Sequence, residues 1–224
     1  MEISLFDQLI AEQKSIAARS WVYVFGFLVL SVVPYVVLDL FWYEETTPFF
    51  AVSFLSILLN FGFLHFLLKD NFLYENGLQA GIFSFIGLSF LHTVPVILGW
   101  ILLFLPGAYL ALRWLPAFAR LFASEDGVMA SLGWSWEHTS GIVGALAGAF
   151  AGPVVLYAIS ICALVFQGFY LEVAPNADFE TVFTSTTIIS NVAMSAGLAW
   201  YTILGVAVYS LISGQSRRIE RTFE

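Results

Sequence analysis

The fold of this chain depends on the stretch PGAYLALRWLPAFARLFASEDGVMASLGWSWEHTSG, which covers residues 106–141. It is the only part of the chain where apolar sequence carries arginine, tryptophan, proline and a compact acidic group together. The sequence on either side consists mainly of long apolar runs. The placement of this stretch relative to a membrane therefore decides how often the chain crosses.

The composition is that of a membrane protein. Of the 224 residues, 60% are hydrophobic and 11% are charged, whereas a soluble domain is usually about 45–50% apolar and about 25% charged. A water-soluble core cannot enclose so much apolar surface, so we expect a bilayer as solvent. The net charge is −8. Without a basic patch, nucleic acid is not an expected partner, whereas membrane lipids are.

Five apolar runs are long enough to cross about 30 Å of hydrocarbon as helices. They lie near residues 21–42, 49–68, 80–105, 142–170 and 183–213. The segment 106–122 is also apolar but contains Arg113, Pro116 and Arg120, and a sixth span, a re-entrant hairpin and a surface helix all fit it. Residues 1–19 predict an amphipathic helix on the membrane surface. Its apolar face comprises Ile3, Leu5, Leu9, Ile10, Ile16 and Ala17.

The distribution of charge predicts the topology. The basic residues outside the apolar runs lie before the first run, after the second and after the last. In segments 44–48 and 172–180, by contrast, every charged side chain is a carboxylate. By the positive-inside rule, both termini and the loop after Lys69 are cytoplasmic. Both termini on one side require an even number of crossings, so we expect segment 106–122 to cross, with a re-entrant loop as the main alternative. The predicted fold is an all-α bundle of about six spans, forming a single integral membrane domain over residues 1–224.

Residues 124–140 predict a short cytoplasmic interfacial helix. Ser124, followed by Glu125 and Asp126, is typical of a helix start, because a hydroxyl caps the first N–H groups and carboxylates favour the positive end of the dipole. Val128, Met129, Leu132 and Trp136 then share one face, with Trp134 and Trp136 at headgroup level. At the other end of the stretch, Pro106 and Gly107 predict a tight outer turn.

Small residues predict how the last two apolar runs pack. Gly144, Gly148 and Gly152 are four residues apart, so they share a helix face that another helix can approach closely. The expected partner is the face of Ala193 and Gly197 within the same chain. A homodimer seam or a contact with another membrane protein is the alternative.

The sequence contains no recognisable catalytic or metal-binding motif. His65, His92 and His138 lie in different elements without ligand spacing, and neither a GxSxG elbow nor a phosphate-binding glycine loop occurs. His65 and His92 are candidates for a proton relay, but we interpret them as neutral side chains bonded to neighbours. Cys162 predicts a buried structural thiol. We expect no catalytic residue, metal or cofactor.

Polar residues within the apolar runs predict one cluster in the outer half of the membrane. At about 1.5 Å per residue, Arg113 lies about 10 Å below Pro106, and Asp39 lies about 5 Å from the outer end of its span. We expect an ion pair between them. Asn191, Gln167 and Tyr35 fall in the same half. The pair is either purely structural or part of a site where Arg113 binds a lipid phosphate or another anion.

The central stretch also carries a family resemblance. Its motif residues are Pro106, Gly107, Tyr109, Arg113, Trp114, Glu125, Ser135, Trp136, Thr139 and Gly141. Together they resemble the bacterial membrane-domain family named after glycerophosphoryl diester phosphodiesterases, and the pattern is similar to related uncharacterised six-span integral membrane proteins. The likeness covers residues 106–141; Trp134, Glu137 and Ser140 stand where this segment is basic in the family.

The resemblance implies a multi-pass protein of the bacterial plasma (inner) membrane, with both termini cytoplasmic. In the family, phosphodiesterase activity belongs to a separate soluble domain, so the resemblance implies a membrane module and not a hydrolase. We therefore expect a non-catalytic protein that handles or senses lipid or assists assembly. The alternative is a small-molecule or lipid transporter or channel. An intramembrane enzyme acting on lipid fits least well, because it would need clustered carboxylate, histidine or cysteine side chains.

Overall fold

The computed structural model describes residues 4–41, 46–74, 77–173 and 179–214, and those residues contain helices and no strand. The helices are α1 (Leu5–Arg19), α2 (Trp21–Phe41), α3 (Thr46–Asp70), α4 (Ile82–Leu102), α5 (Phe104–Arg113), α6 (Ala117–Ala123), α7 (Val128–Thr139), α8 (Val143–Val173) and α9 (Phe179–Ser213). The predicted all-α class is confirmed.

Five helices in the described part of the chain are long and apolar enough to cross a membrane. They are Trp21–Phe41, Phe50–Asp70, Ile82–Leu102, Val143–Tyr170 and Glu180–Ser213, and they match the five predicted apolar runs. Large apolar side chains such as Phe83 and Phe169 are exposed on them, as expected where hydrocarbon is the solvent. The chain is therefore a multi-pass membrane protein.

The segment predicted as a sixth span is divided into two short helices. α5 ends at Arg113 and α6 begins at Ala117. Pro116 lies between them and has no N–H to donate to a helical bond, so a continuous helix cannot pass through it without losing that bond. The ten residues of α5 reach only about 15 Å, about half of the hydrocarbon thickness. One continuous sixth helix is thus absent from residues 104–123, and a crossing by α5 and α6 in succession stays a prediction.

The turn before α5 lies at Leu103 and not at Pro106 and Gly107, where the sequence predicted it. Leu103 is extended, with φ −158° and ψ 107°, and its N–H donates to the Gly99 carbonyl. Pro106 lies in the first turn of α5, where its missing N–H would have no helical partner in any case.

Gly107 serves close packing between α4 and α5. A Cβ added to Gly107 would lie 2.0 Å from Cδ1 of Trp100, and one added to Gly99 would lie 2.7 Å from the Gly107 nitrogen. The backbones of the two helices are therefore in direct contact, so α4 and α5 form a tight hairpin.

The chain divides into two compact units. Unit 1 comprises Met1–Tyr23, Phe61–Phe150 and Thr202–Glu224, and unit 2 comprises Val24–Asn60 and Ala151–Tyr201. The boundary falls within helices α2, α3, α8 and α9. The single domain expected over residues 1–224 stays a prediction.

The N-terminal amphipathic helix is confirmed as a helix, but its apolar face packs on protein. Leu9 and Ile16 are buried, and the Ser210 hydroxyl of α9 donates to the Glu12 carboxylate at 2.7 Å. The face that was expected to lie on the membrane surface is thus covered by the chain itself. Ile3 lies outside the described residues.

The glycines of α8 meet different neighbours. In unit 1, a Cβ added to Gly148 would lie 3.1 Å from the Phe6 ring of α1, and one added to Gly144 would meet nothing within 4 Å. In unit 2, a Cβ added to Gly152 would lie 2.5 Å from the Trp200 indole. The three glycines therefore do not form one seam.

α8 and α9 do pack closely within unit 2. A Cβ added to Gly197 would lie 3.4 Å from the side chains of Leu156 and Tyr157, and Ala193 is buried. The hydroxyls of Ser160 and Ser190 lie 2.8 Å apart. The expected face of Ala193 and Gly197 thus belongs to a contact of α9 with α8, centred on Gly152 and the residues after it.

We expect Gly107→Leu to lower the thermal stability of the protein in detergent far more than Gly144→Leu does. A leucine at 107 would overlap Trp100, and overpacking of this kind costs about 1–3 kcal/mol or more. Gly144 has open space around its missing side chain, so it is a matched control. Thermal unfolding measures both. Equal melting temperatures for the two variants would contradict the close hairpin.

Candidate functional site

The carbonyl group of Arg113 accepts two hydrogen bonds from α7. The Ser135 hydroxyl donates to it at 2.7 Å. The single O–H of Thr139 is shared between this carbonyl, at 3.0 Å, and the Ser135 carbonyl, at 2.7 Å. Both residues are fully buried, and their spacing of four places them on one face of α7. The last carbonyls of a helix have no intrahelical donor. α7 supplies the donors that the end of α5 lacks.

The side chain of Arg113 returns to the same helix. Its Nη2 donates to the Trp136 carbonyl oxygen, and the guanidinium carbon lies 4.3 Å from the centroid of the Trp136 ring and 5.7 Å from that of Tyr109. Aromatic rings attract cations through their quadrupole. Hydrogen bonds thus run both ways between Arg113 and α7, since α7 side chains donate to the Arg113 carbonyl and the Arg113 side chain donates to an α7 carbonyl. We call the group of Arg113, Ser135, Trp136 and Thr139 the Arg113 lock.

One donor of Arg113 has no partner. The side chain is 3% exposed, and its Nε is buried without a hydrogen-bond partner. Among the described residues of unit 1, no carboxylate lies within ion-pair distance of it. A guanidinium is always charged in proteins, and an unpaired buried charge is costly. An anion on the Nε side would satisfy both the donor and the charge.

Arg120 of α6 has the counter-ion that Arg113 lacks. Its Nε donates to the Asp126 carboxylate at 2.6 Å, and its guanidinium carbon lies 5.2 Å from the centroid of the Trp134 ring. Trp134 also stacks on His138, with 4.5 Å between ring centroids. Each arginine therefore lies near a tryptophan ring of α7. Arg120 has a carboxylate partner, whereas Arg113 has none among the described residues of unit 1.

Ser124 ends α6 and does not begin α7. Its hydroxyl donates to the Arg120 carbonyl at 2.8 Å, and α7 begins at Val128 after Gly127. The buried face of α7 comprises Ser131, Leu132, Ser135 and Thr139, whereas Met129 and Trp136 are exposed. The helix start predicted at Ser124 was therefore wrong, whereas a short helix in this segment is confirmed. The contact of its apolar face with the membrane stays a prediction.

The other residues of the predicted polar cluster lie in unit 2. The Asn191 side chain donates to the Asp39 carboxylate at 2.9 Å and to the Thr187 carbonyl at 3.0 Å. Tyr35, one turn before Asp39, and Gln167 on α8 are half-buried. The structure thus brings Asp39 and Asn191 together. Arg113 belongs to unit 1, so its pairing with Asp39 stays a prediction.

The two membrane histidines have local neighbours. Nδ1 of His65 lies 2.6 Å from the Tyr74 hydroxyl, and burial raises the pKa of the Tyr74 phenol above its ordinary value. His92 is buried against the rings of Trp114 and Phe118. No group of three possible metal ligands occurs in the described part of the chain.

Cys162 is exposed, so the expectation of a buried thiol was wrong. It lies on α8, where neighbouring apolar residues such as Ile161 and Val165 are exposed as well. In a membrane protein an apolar run faces lipid as readily as it faces a core, so apolar neighbours do not predict burial.

The motif residues converge only in part. Tyr109, Arg113, Ser135, Trp136 and Thr139 form or adjoin the lock, and the Trp114 ring lies 6.4 Å from that of Trp136. Glu125 and Gly141 are exposed and have no described contact with it. Sequence reasoning did not anticipate the bonds of Ser135 and Thr139, although two hydroxyls four residues apart on a short helix were a usable signal.

Comparisons with protein-family models, with curated proteins and with solved structures found no match. The family resemblance therefore stays a prediction. The fold is that of a multi-pass α-helical membrane protein.

We expect Ser135→Ala or Thr139→Val alone to lower the free energy of unfolding only slightly, and the two changes together to lower it strongly. Each single change leaves one hydroxyl on the Arg113 carbonyl and costs about 0.5–1.5 kcal/mol, whereas the double change orphans that carbonyl and adds about 1–3 kcal/mol. The loss in the double variant should therefore exceed the sum of the single losses. Unfolding free energies in detergent measure this, with the exposed Ser140→Ala as control. Additive losses would contradict a shared acceptor.

Proposed function

We propose that this chain is a non-catalytic protein of the bacterial plasma (inner) membrane that handles or senses anionic lipid by binding its phosphate at Arg113. The supporting observation is the buried guanidinium whose Nε has no partner and which has no carboxylate within ion-pair distance among the described residues of unit 1. Guanidinium groups bind phosphate through parallel N–H···O bonds. In a bilayer, lipid headgroups are the most abundant carriers of phosphate.

The surroundings of Arg113 favour a headgroup over a soluble anion. Tyr109 and Trp136, whose rings lie near the guanidinium, are both exposed. Tyrosine and tryptophan are enriched at the membrane–water interface, where their rings contact both headgroups and hydrocarbon.

The same geometry supports binding more than turnover. The hydroxyls nearest to the cation, those of Ser135 and Thr139, are engaged with the Arg113 carbonyl. A nucleophilic hydroxyl needs a neighbouring base that takes its proton, whereas these two hydroxyls donate their protons to backbone carbonyls. The polar atoms around Arg113 instead hold the residue in place: the hydroxyls bind its backbone carbonyl, and the Trp136 carbonyl accepts from its guanidinium.

A transporter is the second candidate function, and unit 2 carries the observation that favours it. Asp39 is an intramembrane carboxylate held by Asn191, and such groups often mark ion or proton pathways. Hydrogen bonds between spans are also a common means of helix association. The unpaired cation in unit 1 therefore carries more weight.

We expect Arg113→Gln to lose bound anionic phospholipid and Arg120→Gln to retain it. Charge-assisted hydrogen bonds contribute about 1.5–3 kcal/mol, which corresponds to about a tenfold or larger loss of affinity. Native mass spectrometry of protein from nanodiscs containing phosphatidylglycerol and phosphatidylcholine measures the retained lipid. Arg113→Lys, which keeps the charge without the planar fork, should lie between wild type and Arg113→Gln.

Equal retention of phosphatidylglycerol by wild type and Arg113→Gln would contradict the proposed site. Helical circular dichroism of each variant establishes that it is folded. If Arg113→Gln does not fold, competition on the wild-type protein serves instead. Glycerol phosphate should then displace phosphatidylglycerol, and failure at saturating concentration would equally count against the proposal.

We also propose that both termini are cytoplasmic, because basic residues flank those ends of the spans. The loop between α6 and α7 is then cytoplasmic as well, because two termini on one side require an even number of crossings. In a Cys162→Ser background, a cysteine introduced at Glu125, which is exposed, should react with a membrane-impermeant maleimide only after the cells are opened. A cysteine introduced at Glu45, in a segment whose carboxylates predict an outer position, should react in intact cells. Labelling of the 125 site in intact cells would contradict the crossing by α5 and α6.

A further inference from the structure

The C-terminal end of α3 is closed by a phenylalanine in a backbone conformation that favours glycine. The N–H of Leu73 donates to the Leu68 carbonyl at 2.9 Å, and the N–H of Phe72 donates to the Lys69 carbonyl at 3.1 Å. These two bonds define a Schellman motif, whose residue after the helix cap is left-handed and usually glycine. Here that residue is Phe72, with φ 54°.

Nothing in the cap itself requires a phenylalanine. The motif is accompanied by an apolar contact between the residues at the positions of Leu68 and Leu73, and both of these are fully buried. The Phe72 side chain, in contrast, is 71% exposed. The left-handed conformation is unfavourable for any residue that carries a Cβ, whereas glycine adopts it without this cost in free energy. A bulky, strained and exposed residue is best explained by a contact outside the chain.

The position of Phe72 indicates what it contacts. It follows the candidate span Phe50–Asp70 by two residues, next to the exposed Lys69. Phe66, on the last turns of that span, is also exposed and stacks on Tyr23 with 4.6 Å between ring centroids. Exposed aromatic side chains are therefore present both on the last turns of α3 and just past its end, and Lys69 complements anionic headgroups.

We propose that Phe72 is a membrane anchor, whose ring inserts at the boundary between headgroups and acyl chains of the lipid leaflet beside Lys69. Apolar and aromatic side chains at this boundary bury about 5–10 Å into it, with basic residues facing the headgroups. The contact with lipid explains why the position holds phenylalanine although the backbone favours glycine. The anchor does not depend on lipid binding at Arg113.

The depth of the side chain tests the anchor. In a Cys162→Ser background, spin labels are attached to cysteines introduced at Phe72 or at Gln79, an exposed polar residue of the same loop. The purified protein is reconstituted in vesicles of phosphatidylethanolamine and phosphatidylglycerol. Oxygen concentrates in hydrocarbon and a charged-ligand nickel chelate in water, so collisions with each report depth. We expect the ratio of oxygen to nickel accessibility to be several-fold higher at 72 than at 79.

Equal ratios at the two sites would overturn the anchor, since the label at 72 would then lie in water. Protection of the 72 site from both reagents would also overturn it, because a second copy of the chain would then cover this surface. The backbone argument has its own test. Phe72→Gly should melt at a higher temperature in detergent than Phe72→Ala, which lacks the ring but keeps the strain. The opposite order would show that the left-handed conformation is not maintained.

Discussion

The two-way bonding between α5 and α7 at Arg113 is the constraint on which the centre of unit 1 depends. A helix that breaks among apolar surroundings leaves backbone groups that no water reaches, and such breaks persist only where protein covers them. Here Ser135 and Thr139 satisfy the Arg113 carbonyl. On the other side of the break, the Leu115 carbonyl approaches Gly205 of α9 closely because Gly205 has no side chain. A Cβ added to Gly205 would lie 2.8 Å from the Leu115 carbonyl oxygen. The break between α5 and α6 is thus a supported feature of the fold, and the arginine at its edge is held in one place by the same contacts.

The long helices were predictable, but the ends of the short ones were not. Hydropathy over about 20 residues identifies a span regardless of its neighbours, and all five runs appear as helices. Pro106 and Gly107 looked like a turn, yet proline is also accepted in a first helical turn, and the chain reverses at Leu103 instead. Ser124 looked like a helix start, yet its hydroxyl bonds back to Arg120. Each of these residue types is common in two different local structures, and only tertiary contacts determine which of the two forms.

The residues of the site were also predictable only in part. A lone arginine in apolar sequence is rare enough to be singled out from composition, whereas its partners cannot be found by counting depth along separate helices. Counting suggested Asp39; within unit 1 the described partners are Trp136, Ser135 and Thr139, which lie 22 to 26 residues further along the chain. Nothing in the sequence marks Phe72 as left-handed, because the motif that imposes this dihedral angle is defined by backbone hydrogen bonds.

The close approaches described above distinguish two groups among the 17 glycines of the chain, and these groups have different evolutionary freedom. At Gly99, Gly107, Gly152 and Gly205, even a methyl group would lie less than 3.0 Å from a neighbouring atom. At Gly26, Gly62, Gly133 and Gly168, nothing lies within 4 Å. As sequences diverge from this one, the first group should persist as glycine while the second drifts to alanine or serine. Glycine retention at these helical positions would therefore record helix contacts and not backbone flexibility.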